Sequence, residues 1–142
     1  MDVNYTAILF SGIAAMILGM LWYSPMLFGG PYMRVMGWNP KDTKKKERMM
    51  QDMGLIYFIT FCAALATAYC IGLLMPLLMV DTLDGAFRIA FLLWLGFMLP
   101  VALGSSLFSG KMGSDKWTLL GITAGHYLIG IMLTASIMFS VR

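Results

Sequence analysis

The chain has 142 residues, of which 60% are hydrophobic and only 12% charged, and its mean hydropathy is +0.80. A soluble domain carries about 25% charge and needs a polar surface that this composition cannot supply, so the bilayer is the expected solvent. Two cysteines exclude a disulfide-dense secreted scaffold, and one histidine with seven acids leaves little material for a multi-ligand metal site.

Hydrocarbon excludes charge, so the uncharged gaps locate the spans. Val3–Met33, Met53–Val80, Ile89–Gly110 and Trp117–Val141 are uncharged over 31, 28, 22 and 25 residues. Each exceeds the roughly 20 apolar residues that cross a core of about 30 Å. The chain therefore reads as one all-α domain, 1–142: a compact four-helix transmembrane bundle with spans near 5–27, 54–79, 85–108 and 117–140. The first run is expected to stay attached, because it lacks a basic leader and Asp2 stands at its start.

Trp22 and Tyr23 close the first span where an aromatic belt belongs, at the headgroups. Ser24 and Pro25 read as the N-cap and first-turn pair of a short interfacial helix that Gly37 would stop. Asn39 and Pro40 read as the next helix start, and the spacing of Met49, Met50, Met53 and Tyr57 carries that helix into the second span. The second span thus begins as a helical extension in the cytoplasm. Unless Gly54 bends it, a helix over Pro40–Val80 would be about 60 Å long at 1.5 Å per residue.

Small residues mark expected packing faces: Ser11, Ala15 and Gly19 in the first span, Ala64, Ala68 and Gly72 in the second, Gly121 and Gly125 in the fourth. Pro76 and Pro100 each follow a glycine by four residues, Gly72 and Gly96, which relieves crowding and permits a kink. Leu27-Phe28-Gly29-Gly30 and Leu107-Phe108-Ser109-Gly110 echo one another, as a parallel duplication would require.

Arg34, Lys41, Lys44, Lys45, Lys46, Arg48, Lys111 and Lys116 fall in the first and third connections, against Arg88 and Arg142 on the other side. Basic short loops resist translocation, so both termini are expected outside the cytoplasm. The run Lys41–Arg48 is read as orientation and ordinary solvation, and no nucleic-acid partner is expected, since no aromatic residues interleave with it.

His126 lies near the middle of the fourth span and shares a helical face with Thr123, Tyr127, Gly130 and Thr134, which must point into protein. With Thr67 and the Gly96 carbonyl that Pro100 leaves free, these residues form a candidate buried polar site. His126 is expected to be neutral and bonded across to Gly96. No intramembrane carboxylate is present to make it a proton relay. Cys62 and Cys70, eight residues apart and so about 12 Å along one helix, can neither bridge nor share a metal. The fifteen methionines read as flexible packing and not as a copper-thioether site. With no His-Glu-x-x-His, Gly-x-Ser-x-Gly or phosphate loop, no catalytic residue, metal or cofactor is expected, and the chain is not expected to be an enzyme.

The run from Leu18 through Trp22-Tyr23-Ser24-Pro25 to Gly29, with Thr123-Ala124-Gly125-His126-Tyr127, resembles the bacterial membrane proteins grouped as domain of unknown function 1761. The resemblance covers nearly the whole chain. It implies a multi-pass protein of the bacterial inner membrane and supplies no activity, cofactor or catalytic residue. Two functions stand open. One is a non-enzymatic interaction or accessory protein acting through helix-helix contacts, as a homo-oligomer or with another membrane protein. The alternative is a small transporter, or a lipid- or small-molecule-binding protein, with a polar cavity around His126, Thr67 and Tyr127.

Overall fold

Helices begin where a side chain replaces a missing backbone partner. In the computed structural model, which describes residues 3–141, the Asn4 side chain accepts from the Thr6 and Ala7 amides and opens α1 (Tyr5–Trp22). The described residues continue as α2 (Gly29–Val35), α3 (Thr43–Leu77), α4 (Leu83–Leu93), a π turn (Trp94–Met98) that runs into α5 (Leu99–Leu107), and α6 (Asp115–Ser140). Four stretches are long and apolar enough to cross a membrane: Tyr5–Trp22, Thr43–Leu77, Leu83–Leu107 and Asp115–Ser140. The all-helical, four-span reading therefore holds.

Two helix starts differ from expectation. Ser24 does not cap: its hydroxyl donates back to the Leu21 carbonyl at 2.7 Å, Pro25 lies in the turn, and α2 begins only at Gly29. Likewise Asn39 spends its side chain on an Asx turn, accepting from the Lys41 amide at 3.0 Å. Asp42 takes over as the cap of α3, accepting from the Lys45 amide at 3.2 Å. Gly37 does stop α2. With φ 71° it allows its own amide to reach the Arg34 carbonyl and the Trp38 amide to reach Met33, both bonds of a Schellman close.

α3 passes Gly54 unbroken. Its 35 residues span about 52 Å at 1.5 Å per residue, longer than the roughly 30 Å of a bilayer core. The far end closes on a second Schellman pair, Met79 to the Pro76 carbonyl and Val80 to that of Met75, at 3.1 and 2.9 Å. Here the left-handed position is held by Met79, φ 53°, and not by a glycine. Val80 and Met75 are both buried and supply the hydrophobic contact that this close calls for.

In the third span the chain meets Pro100 through the π turn, in which the Leu99 amide bonds five residues back to Trp94. One extra residue per turn re-registers the backbone just ahead of the missing proline donor. The two halves of the sequence echo do dissimilar work. Phe28, Gly29 and Gly30 open a helix, whereas Phe108 ends one and Gly110 turns with φ 77°.

α6 sits at the centre. It packs against every other helix, α1 and α3 on one side, α4, the π turn and α5 on another, and α2 below. A third of its apolar window, 33%, is buried, against 17% for each other span. The described chain begins and finishes at one end of the bundle, where Asn4 Nδ2 donates to the Val141 carbonyl. That end is closed by alanines with almost no exposure, Ala7 on α1, Ala68 on α3, Ala86 and Ala90 on α4 and Ala135 on α6, interleaved with Ile71, Met75, Ile131 and Met138. Lipid tails are as apolar as leucine, so helices gain chiefly by approaching closely, and small side chains permit it.

Candidate functional site

The opposite half of the bundle is built from aromatic rings, and its geometry starts with the way α1 ends. The Leu21 carbonyl receives the Ser24 amide at 3.2 Å and the Ser24 hydroxyl. The chain then folds back, with Phe28 bonded to the Trp22 carbonyl at 3.0 Å and Gly29 to that of Ser24 at 2.9 Å. These bonds let a helix break persist close to hydrocarbon, where unsatisfied backbone is costly. Gly29 makes the fold-back possible. A Cβ there would lie 2.5 Å from the Tyr23 carbonyl oxygen and 2.7 Å from the Ser24 carbonyl group.

The fold-back turns Trp22 and Tyr23 onto α6, where both are half-buried. Trp22 rests against Phe28, ring centres 4.6 Å apart, and its indole N–H donates to the Ile122 carbonyl at 3.0 Å. From the third span, the Trp94 indole N–H donates to the Ala124 carbonyl at 2.9 Å. Two indoles thus hold α6 by neighbouring carbonyls on either side of Thr123. Gly125 makes room for the first: a Cβ there would stand 3.0 Å from the Trp22 ring.

His126 projects into this cluster. Its ring centre is 5.3 Å from that of Tyr23, 6.1 Å from Trp22 and 5.9 Å from Tyr127, and Tyr23 in turn packs edge-on against Tyr32 at 4.8 Å. Gly19 of α1 closes the space over Nε2, 3.7 Å from where its Cβ would be. Nε2 is buried and without a hydrogen-bond partner among the described residues, as are the hydroxyls of Ser11 and Ser106.

The expected bond from His126 to the third span is therefore corrected: the histidine faces α1. Gly96 and Pro100 are exposed, and nothing lies within 4 Å of a Cβ at Gly96. Thr67 is not at the site either. Its hydroxyl donates to Ala63 in its own helix. It stands two residues past Leu65, which meets Gly12, whereas His126 meets Gly19, at least about 10 Å further along α1 at 1.5 Å per residue. Tyr127 joins the cluster at its exposed edge, Thr123 is half-buried, and Thr134 bonds within α6 to Gly130. Sequence reasoning missed Phe28, Gly29, Tyr32 and Trp94. An indole N–H inside a span needs an acceptor, which is the signal that singles out Trp94.

A concavity lies between the end of α2 and the start of α3, with a volume of about 430 Å³. Met33 and Trp38 line one wall, and Met49, Met50 and Met53 the other. Lys45, Lys46 and Asp42 stand around it. No group of three or more His, Cys, Asp or Glu side chains that could hold a metal occurs among the described residues. Cys62 and Cys70 are free and exposed on α3.

A family model described as a protein of unknown function, DUF1761, matches residues 6–139. The chain belongs to this family. The match takes in the fold-back of α1 and the His126 cluster, so both are features of a DUF1761 chain and not of an appended segment. Neither the curated proteins nor the solved structures yielded a match.

Proposed function

We propose that this DUF1761 protein is a non-enzymatic membrane protein that works by taking a further transmembrane helix against its third span. The observation that carries this reading is a set of small residues left unused by the bundle. Gly19, Gly72 and Gly125 are occupied by side chains of neighbouring helices, whereas Gly96 and Gly104 have nothing within 4 Å. Pro100 stands between them at four-residue intervals. Outward small residues at that interval let a second backbone approach closely in lipid. The partner proposed is a second copy of the chain, with both termini outside the cytoplasm of a bacterial inner membrane.

Energy transfer between donor- and acceptor-labelled chains, using the exposed cysteines of α3 in liposomes, tests the association. Transfer is expected in the wild type and should disappear in Gly96→Leu/Gly104→Leu with resistance to unfolding unchanged. Chains that stay monomeric as lipid is diluted out refute self-association. For the orientation, a cysteine at Ser114 that reacts with an impermeant reagent from outside, while one at Thr82 is protected, would reverse the assignment.

A second reading, a small-molecule or lipid site at His126, is favoured by one observation, the buried Nε2 without a partner inside an aromatic surround. It predicts that His126→Phe folds normally and loses binding or transport.

A further inference from the structure

The groove at the start of α3 combines two chemistries. Its walls are apolar, the thioethers of Met33, Met49 and Met53 and the indole of Trp38. Trp38 and Met33 are each 38% exposed, and Met50 is 65% exposed. Flexible methionines adapt to chains of varied shape. Its rim is cationic: Lys45 and Lys46 line it against one carboxylate, Asp42, whose oxygen is already engaged by the Lys45 amide as the cap of α3.

The first turn of α3 holds no acid and carries three lysines in succession, Lys44 to Lys46. Cations there add to the positive end of the helix dipole, which the single Asp42 cap offsets only in part. The groove also adjoins the membrane. Met53 opens the uncharged stretch that runs to Val80, and the groove side of α3 continues through the exposed Ile56 and Tyr57. A ligand with an anionic head and a long apolar tail meets all three features at once.

We propose that this groove binds one anionic phospholipid, its phosphate between Lys45 and Lys46 and an acyl chain laid over the methionines and Trp38 toward the lipid-facing side of α3. A free anion would leave the apolar walls unused. A zwitterionic lipid would set its own cation against the lysines. Basic residues next to a span attract acidic lipid by about 1 kcal/mol each, and the groove turns that general attraction into a single site. This proposal is independent of the helix-docking face on the third span.

Native mass spectrometry of the full chain, released from detergent micelles containing phosphatidylglycerol or phosphatidylcholine of identical acyl chains, tests it. One phosphatidylglycerol per chain should be retained at concentrations at least tenfold below those needed for phosphatidylcholine. Lys45→Glu/Lys46→Glu should abolish that preference. Met50→Gln/Met53→Gln should weaken retention severalfold while keeping the preference. The affected side chains line an open groove, and an unchanged far-ultraviolet circular dichroism spectrum confirms that each variant folds. Equal retention of the two lipids overturns the proposal, as does full retention of phosphatidylglycerol by the lysine variant. Displacement by millimolar inorganic phosphate identifies a plain anion site instead. A dimer peak lost in the same variants identifies the occupant as a second copy.

Discussion

Gly29→Ala and Gly30→Ala are adjacent, chemically identical changes for which the structure gives unequal outcomes. A Cβ at Gly29 would lie 2.5 Å from the Tyr23 carbonyl oxygen, 0.9 Å inside the 3.4 Å of ordinary contact, and the Ser24 carbonyl group is 2.7 Å away. The obstacle is backbone, which cannot swing aside like a side chain. Relieving the overlap should cost about 1–3 kcal/mol, as in other overpacked sites. The displaced turn also strains the Gly29–Ser24 and Phe28–Trp22 bonds, each worth about 1 kcal/mol. A loss of about 3 kcal/mol is expected, and it should loosen Trp22 from Ile122, since the fold-back aims that ring. At Gly30 nothing besides its chain neighbours lies within 4 Å, and the gain of about 1 kcal/mol that alanine brings to a helix is opposed by contact of its Cβ with the ring of Pro31, so little net change is expected. Unfolding of the full chain in mixed dodecyl maltoside and dodecyl sulfate micelles, followed by circular dichroism, measures both. Equal midpoints for the two variants would refute the argument that the break in α1 is held by close backbone approach.

Trp22→Phe and Trp94→Phe each remove one bond to an α6 carbonyl and should cost about 0.6 kcal/mol, the average for interhelical hydrogen bonds in membranes; losses above about 2 kcal/mol in the same micelle assay would show that the indoles do more than bond. Met79→Gly should stabilise the chain by about 0.5–1 kcal/mol, because an L residue in the left-handed region costs roughly 1–2 kcal/mol and glycine returns part of that as entropy. Met79 is 87% exposed, so little packing is lost, and a lowered unfolding midpoint counts against the strain. His126→Phe keeps a planar ring and removes the buried Nε2 that has no partner, so its stability should be unchanged or higher by up to about 1 kcal/mol. A clear loss in lipid bilayers would reveal an acceptor or donor supplied from outside the chain.

Part of the candidate site was legible because its signals are local. Charge exclusion located four spans. Gly37 at φ 71° stops α2 as a residue without a Cβ should. The four-residue spacing placed Gly19, Gly72 and Gly125 against neighbouring helices. His126 was visible as the one imidazole in the hydrophobic spans, and Trp22 and Tyr23 as rings at a span end.

Tertiary structure decided the rest. Gly121 repeats the spacing of Gly125, yet it is open and Gly125 holds Trp22. His126 faces Gly19 and not Gly96. Ser24 and Asn39 had the chemistry of caps, but each bonded a nearer backbone group first, and such competition is settled by the path of the chain and not by residue type. The common reason is the solvent. In water the apolar stripe of a helix names its buried face, but against lipid an apolar side chain is equally at ease inside the bundle or outside it. Sequence therefore determined which segments are long and apolar enough to cross a membrane. Only close approach of small residues, and acceptors for two indoles, determined that α6 would stand at the centre and which faces would remain open.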